Sequence, residues 1–155
     1  MALDAVREYM AGLGLDSRIV VQATPSDTVE HAAAAVGCLP AQIAKTIAAA
    51  SAQGPVLVVT SGDTKVSNKK YRAAFGEKLS MIPRDDVERS VGHAPGGVCP
   101  FANPSDVHVF LDESLRRFGF VHVAAGAPNA TVRLTIPELE SASRFVSWVD
   151  VCDQR

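Results

Sequence analysis

The run KTIAAASAQGPVLVVT, residues 45–60, constrains the fold more than any other stretch. KTIAAA and PVLVVT are short apolar segments separated by SAQG, a pattern that predicts two strands joined as a hairpin. Side chains of a strand alternate between faces, so Lys45, Ile47 and Ala49 share one face and Thr46, Ala48 and Ala50 the other. Both faces are small or apolar apart from the first two residues.

Around this hairpin, helical and strand patterns mix irregularly. Leu3, Val6, Met10 and Leu13 fall at helical spacing, with Gly14 as the stop. SRIVVQ (17–22) predicts a short strand broken by Pro25. Asp27 and Glu30, three apart, mark a helix start, and Val29, Ala32, Ala33 and Val36 form its apolar stripe up to Gly37. Pro40 opens a turn of helix in PAQIA. Ser67 is the expected N-cap of NKKYRAAF, with Val66 and Tyr71 as a staple and Gly76 as the end. KLSMI is a strand candidate and PRDDVERSV a short helix. DVHVFLD, GFVHVAA and ATVRLT alternate like strands. Thr135 and Glu138 form a capping box, and RFVSWVDV is expected as a closing strand. Several strands are joined by hairpins. The expected class is therefore α/β (α+β), a mixed sheet with surrounding helices rather than a doubly wound one.

The 155 residues are most simply one domain, 1–155, long enough to bury a core without staples. A net charge of −2 gives no overall pull toward nucleic acid, so any RNA contact must be local. Cys38, Cys99 and Cys152 are far apart with no CxxC pair, which argues against a zinc ribbon or a disulfide framework. No run approaches a membrane span and the N-terminus carries no apolar signal core, so a reducing cytoplasm is the expectation.

Two features carry potential chemistry. An ammonium at the head of an apolar strand faces either a cleft, where it would grip a carbonyl or phosphate oxygen, or the sheet rim, where it snorkels into water. Spacing alone favours the rim for Lys45, because lysines are mostly exposed. The second feature is HAPGGVCPFANP, residues 93–104. Gly96 and Gly97 admit a close approach to the main chain, and Pro95 and Pro100 restrict the loop. Such a loop can present backbone N–H groups to an oxyanion. A tight connection without a ligand is the default for Gly-Gly alone.

CLPAQIAKTI, SGDTKVSNKKYRAAFG, VGHAPGGVCPF, FLDESL and VAAGAPNATVRLTIPEL together resemble the YbaK/prolyl-tRNA-synthetase-associated domain family, over about Thr28 to Leu139. The resemblance implies a mostly antiparallel, partly barrel-like sheet and an aminoacyl-tRNA deacylase, free-standing or inserted as an editing domain. It places the functional lysine of the family's QxxKTL motif at Lys45, beside Thr46. It places the pocket loop at Gly96, Gly97, Val98, Cys99 and Pro100, and the later glycine of VSAGRRG at Gly126. Two departures stand out: Ala124 where many members have serine, and Ala102 where many have glycine. The implied partners are the acceptor end of aminoacyl-tRNA and an aminoacyl-tRNA synthetase, with no cofactor and no metal. The implied reaction is ester hydrolysis assisted by the substrate itself.

Other constellations compete. Cys99 with His93 would make a Cys-His hydrolase, or Cys99 would line the pocket and shape its selectivity. His108 and His122 would be near neighbours if their strands pair; a metal would need a third ligand, so solvent-facing strand histidines are the simpler reading. His31 reads as structural. Asp112 and Glu113 read as a strand end and turn. Lys65, Lys69, Lys70, Arg72 and Lys78 form the one basic stretch, a candidate for tRNA phosphates or an ordinary solvated face. A non-catalytic binding module for a small ligand, a tRNA end or a synthetase is the alternative to an enzyme.

Overall fold

The computed structural model describes residues 2–25 and 28–154. The 45–60 run folds as the expected hairpin, β2 (Ile43–Ser51) and β3 (Gly54–Ser61), with Lys45 opposite Thr60 and Ser51 opposite Gly54. Alternation along β3 explains why the run is apolar throughout. Leu57 and Val59 enter the main core, while Val56 and Val58 enter a second core with Tyr71 and Val151. The hairpin is covered on both faces.

The sheet grows outward from the hairpin. On one side β2 pairs in parallel with β6 (Phe120–Ala124), which forms an antiparallel hairpin with β7 (Ala130–Thr135). β7 in turn pairs antiparallel with β1 (Ile19–Val21). On the other side β3 pairs in parallel with β5 (His108–Asp112), and β5 with β8 (Ser147–Val149). A separate antiparallel ribbon joins β4 (Thr64–Val66) to β9 (Cys152–Gln154). The expected mixed sheet is present, and its two longest pairings, β2 with β3 and β6 with β7, are antiparallel.

Helix boundaries follow side-chain chemistry. α1 (Ala2–Gly12) buries Val6 and Met10 against the main core, but it ends before Leu13, which is exposed. α2 (Val29–Val36) is capped by Thr28, whose Oγ1 accepts from the His31 amide at 3.0 Å, and it stops at left-handed Gly37. Asp27, the expected start signal, lies outside the described residues. α3 (Asn68–Phe75) is capped by Ser67 and ends at Gly76, with Val66 and Tyr71 in one cluster. α4 is Arg84–Val91. α5 (Ile136–Ser143) carries the Thr135/Glu138 capping box. No helix among the described residues is long and apolar enough to cross a membrane.

Three strand expectations are corrected. SRIVVQ yields only three strand residues, because Asp16–Arg18 form a 3₁₀ turn. KLSMI contributes a single bridge, Met81 to Ala49. RFVSWVDV splits. Its Val151 amide donates to Asp112 Oδ1 at 2.8 Å instead of to a ladder, and the chain passes from β8 to β9. Asp112 is itself buried and also accepts from the Ser114 amide at 2.9 Å, so its role is structural.

The turn between β3 and β4 is held unusually tightly. Ser61 Oγ donates to the Ala41 carbonyl at 2.6 Å and sits 2.7 Å from Asp63 Oδ1; Arg117 reaches the same carboxylate at 2.6 Å. That arginine holds the Asp63 carboxyl below its usual range. A Cβ on Gly62 would lie 2.3 Å from the Pro40 carbonyl oxygen and 2.6 Å from Val29 Cγ1. Gly62→Ala is therefore expected to lower stability by about 1–3 kcal/mol in chemical denaturation, because backbone on both sides blocks relaxation. An unchanged midpoint would show that α2 and the turn can separate.

Candidate functional site

The head of β2, α2, β6 and the glycine loop enclose a cavity of about 560 Å³. Lys45 and Thr46 stand on its wall beside Gly96, Val98 and Ala124. Lys45 is half-buried, and its Nζ donates to the Thr64 carbonyl at the start of β4. It sits neither at the sheet rim nor in bulk water, so the rim expected from spacing gives way to the cleft. Thr46 Oγ1 is buried and has no hydrogen-bond partner among the described residues. Val29, Ala32 and Val36 of α2 make the opposite wall apolar.

The glycine loop works differently from a simple donor nest. Gly96 adopts φ +93° and lies on the wall. Gly97 is buried, and its amide donates to the Ala94 carbonyl at 3.0 Å. A Cβ there would come within 2.8 Å of Ala127 N. Gly126 adopts φ +93°, and a Cβ on it would meet the Ala2 carbonyl oxygen at 2.9 Å. Gly97 and Gly126 thus stand behind the wall and let three backbone segments interlock. Pro100 lines a different cavity, with Tyr9 and Asn103.

Cys99 also points away from the cavity. It is fully buried in the main core, with Sγ 3.4 Å from His93 Nε2. His93 Nε2 lies 2.7 Å from the Phe101 carbonyl oxygen, as expected for a ring N–H donating there. The Cys-His pair expected from sequence therefore exists in space. Burial pushes the Cys99 thiol up to about 12, although main-chain hydrogen bonds oppose the shift. A buried, protonated thiol is a poor nucleophile, and Cys99 does not line this cavity.

Sequence reasoning missed three residues near the site. Arg84, at the start of α4, lines the cavity. His122 lines it too and is half-buried, not simply solvent-facing; burial and then Arg133 hold its pKa below the usual histidine value. His108 is exposed on β5, separated from β6 by β2 and β3, so the two histidines are not neighbours. Arg133 enters through its cross-strand pairing with His122. No local signal marks these residues: strand pairing brings His122 and Arg133 to the site, and Arg84 arrives on α4.

The basic stretch lies elsewhere. Lys65, Lys69, Lys70 and Arg72 line no part of this cavity. Lys70 is engaged by Asp153 at 3.1 Å, Asp150 at 3.5 Å and the Cys152 carbonyl at 2.9 Å.

Ala102 adopts φ +54°, a left-handed conformation. The departure from glycine at this position therefore carries backbone strain.

The chain matches the family model of the aminoacyl-tRNA editing domain over residues 23–142. It is 38% identical over 153 residues to the uncharacterised protein YwhH of Bacillus subtilis (strain 168), covering 98% of both chains. It is 31% identical over 122 residues to a proline–tRNA ligase of Limosilactobacillus fermentum (strain NBRC 3956 / LMG 18251), covering 74% of this chain but 21% of that enzyme. A solved structure described as a candidate trans-editing enzyme for prolyl tRNA synthetase superposes with a TM-score of 0.89 at 26% identity, covering 98% of this chain and 97% of that one.

Two outcomes are expected from this geometry. Ala102→Gly should raise stability by about 0.5–1 kcal/mol in denaturant melts, as relief of left-handed strain outweighs added chain entropy; a loss of stability would contradict the strain. The second concerns pH. Burial lowers the His93 pKa, with the Phe101 hydrogen bond opposing, so the folded state favours the neutral ring. The unfolded ring protonates below about pH 6.5, and the stability present above that value is lost as pH falls toward the folded pKa. Melting temperature should therefore fall from pH 7.5 to 5.5, and His93→Gln should flatten the fall, leaving the share due to His122. Parallel curves for both proteins would refute the assignment.

Proposed function

This chain belongs to the aminoacyl-tRNA editing domain family, and on that premise we propose that it is a trans-acting hydrolase that cleaves the ester between a mischarged amino acid and tRNA. The observation that carries the reading is the shared cavity, which Lys45 and Thr46 line together with Gly96, Val98 and Ala124. In this reading Lys45 holds the acyl or phosphate oxygen. An ammonium has three donors and serves more than one acceptor, so its bond to the Thr64 carbonyl orients it without excluding substrate. Developing charge on the acyl oxygen is then met by a preset cation in a partly dry site.

The Gly97 amide is spent within its own turn, so main-chain donation falls to Gly96 and Val98, whose amides no hydrogen bond engages among the described residues. No carboxylate or thiol lines the cavity among the described residues. We assign activation of the attacking water to the substrate, through a ribose hydroxyl or the amino acid's own side chain, with positioning supplying most of the rate. The apolar α2 wall acts as the second sieve. Such sieving is useful because a single pocket separates side chains differing by one methylene by only about 10–200-fold. The likeness to part of a proline–tRNA ligase favours tRNA charged by that kind of enzyme as the first substrate to examine.

Ala124 favours a second reading. It puts a methyl group on the wall where many relatives of this type carry a serine hydroxyl, and a binding module would retain the cavity without turnover. The two readings separate in one assay. A panel of mischarged tRNAs is offered to catalytic amounts of wild type and Lys45→Ala. Hydrolysis predicts multiple turnovers by wild type and a drop of about 10²–10³-fold in the variant. Equal release by both, or release from no tRNA, rejects hydrolysis; stoichiometric binding without product supports the module.

A further inference from the structure

The outer face of β6, β7 and β1 is not covered like the hairpin. Val121, Val123, Val132 and Leu134 point into the core, which turns Phe120, His122, Arg133 and Thr135 outward. His122 and Arg133 are direct cross-strand partners. The Arg133 guanidinium lies 4.3 Å over the Phe120 ring, and the Phe120 and His122 rings meet edge-on at 5.8 Å. A cation over an aromatic ring is held in place before any ligand arrives.

This face floors a second cavity of about 660 Å³, within the size range of ligand sites. Gln22, Ala35, Val36 and His122 line both cavities, so the two adjoin along a shared wall. Arg18 and Arg133 line the second cavity and no carboxylate does so among the described residues. Arg18 is bound to Glu138, whereas Arg133 pairs with no carboxylate among the described residues. The cavity thus offers a guanidinium preset by the Phe120 ring, the His122 ring and the hydroxyls of Ser17 and Thr135. Cations beside aromatic rings on an open sheet suit single-stranded nucleic acid.

We propose that this face is the track for the single-stranded 3′ end of the tRNA, with Arg133 on a backbone phosphate just before the terminal nucleotide. The inference rests on the editing reading, which puts the acyl ester of the charged tRNA in the main cavity. It moves the RNA contact away from the Lys65–Arg72 stretch, which lines neither cavity.

The test needs no chemistry. An uncharged acceptor-stem hairpin RNA with a single-stranded CCA end is titrated by fluorescence anisotropy across a salt series. Arg133→Ala should weaken binding about tenfold and reduce the salt slope by about one, while Arg133→Lys keeps most of the affinity. A Lys65→Glu, Arg72→Glu double variant should bind like wild type. Removing the single-stranded end from the RNA should erase the difference between wild type and Arg133→Ala. Unchanged affinity in Arg133→Ala, a difference that survives removal of the CCA end, or no RNA binding by wild type overturns the proposal. RNA binding with these signatures but no deacylation of any tRNA would leave the track standing and remove the editing reading; deacylation with an indifferent Arg133 would do the reverse.

Discussion

Burial of the β2–β3 hairpin on both faces governs the architecture. A strand whose neighbouring side chains alternate between two cores must be roofed on each side. The larger core is closed by α1 and the outer strands, the smaller by α3 and the segment leading into β9. Lys45 sits at the head of this hairpin, on the face that Ala49 carries into the smaller core. That position is half-buried and gives the ammonium a main-chain carbonyl for a seat, and partial burial strengthens a cation's interaction with an anionic or polarised oxygen.

The rigidity of the cavity comes less from its lining than from what stands behind it. Gly97 and Gly126 bring main chain against main chain, and Gly62 does the same beneath α2. Asp63, Ser61 and Arg117 tie the turn that presents the Thr64 carbonyl. Such hydrogen bonds and close backbone packing fix a reacting group without touching substrate, and such fixing decides whether positioning can lower a barrier.

Much of this was legible in the sequence, for identifiable reasons. Caps and stops are local signals, so Thr135, Ser67, Gly37 and Gly76 fixed helix ends. Three of the five segments of the family resemblance supply Lys45, Thr46, Gly96, Val98 and Ala124, which line one cavity. Orientation was not legible. Cys99 and Pro100 belong to the same loop as Gly96 yet face the core and another cavity, since a loop has no fixed alternation. Gly97 looked like a donor because a bare main chain suits either ligand approach or close packing, and sequence does not distinguish them. Arg133 and His122 are eleven positions apart and meet only through the hairpin register.

The ribbon of β4 and β9 has a consequence for how the molecule assembles. Thr64, whose carbonyl seats Lys45, is opposite Gln154. β1 likewise waits for β7, more than a hundred positions away. Pairings this distant are slow to close, because the intervening chain loses entropy before the contact rewards it. The lysine's berth is therefore tied to a distant part of the chain, and a nascent chain still missing β9 would hold its ammonium on a strand without its partner.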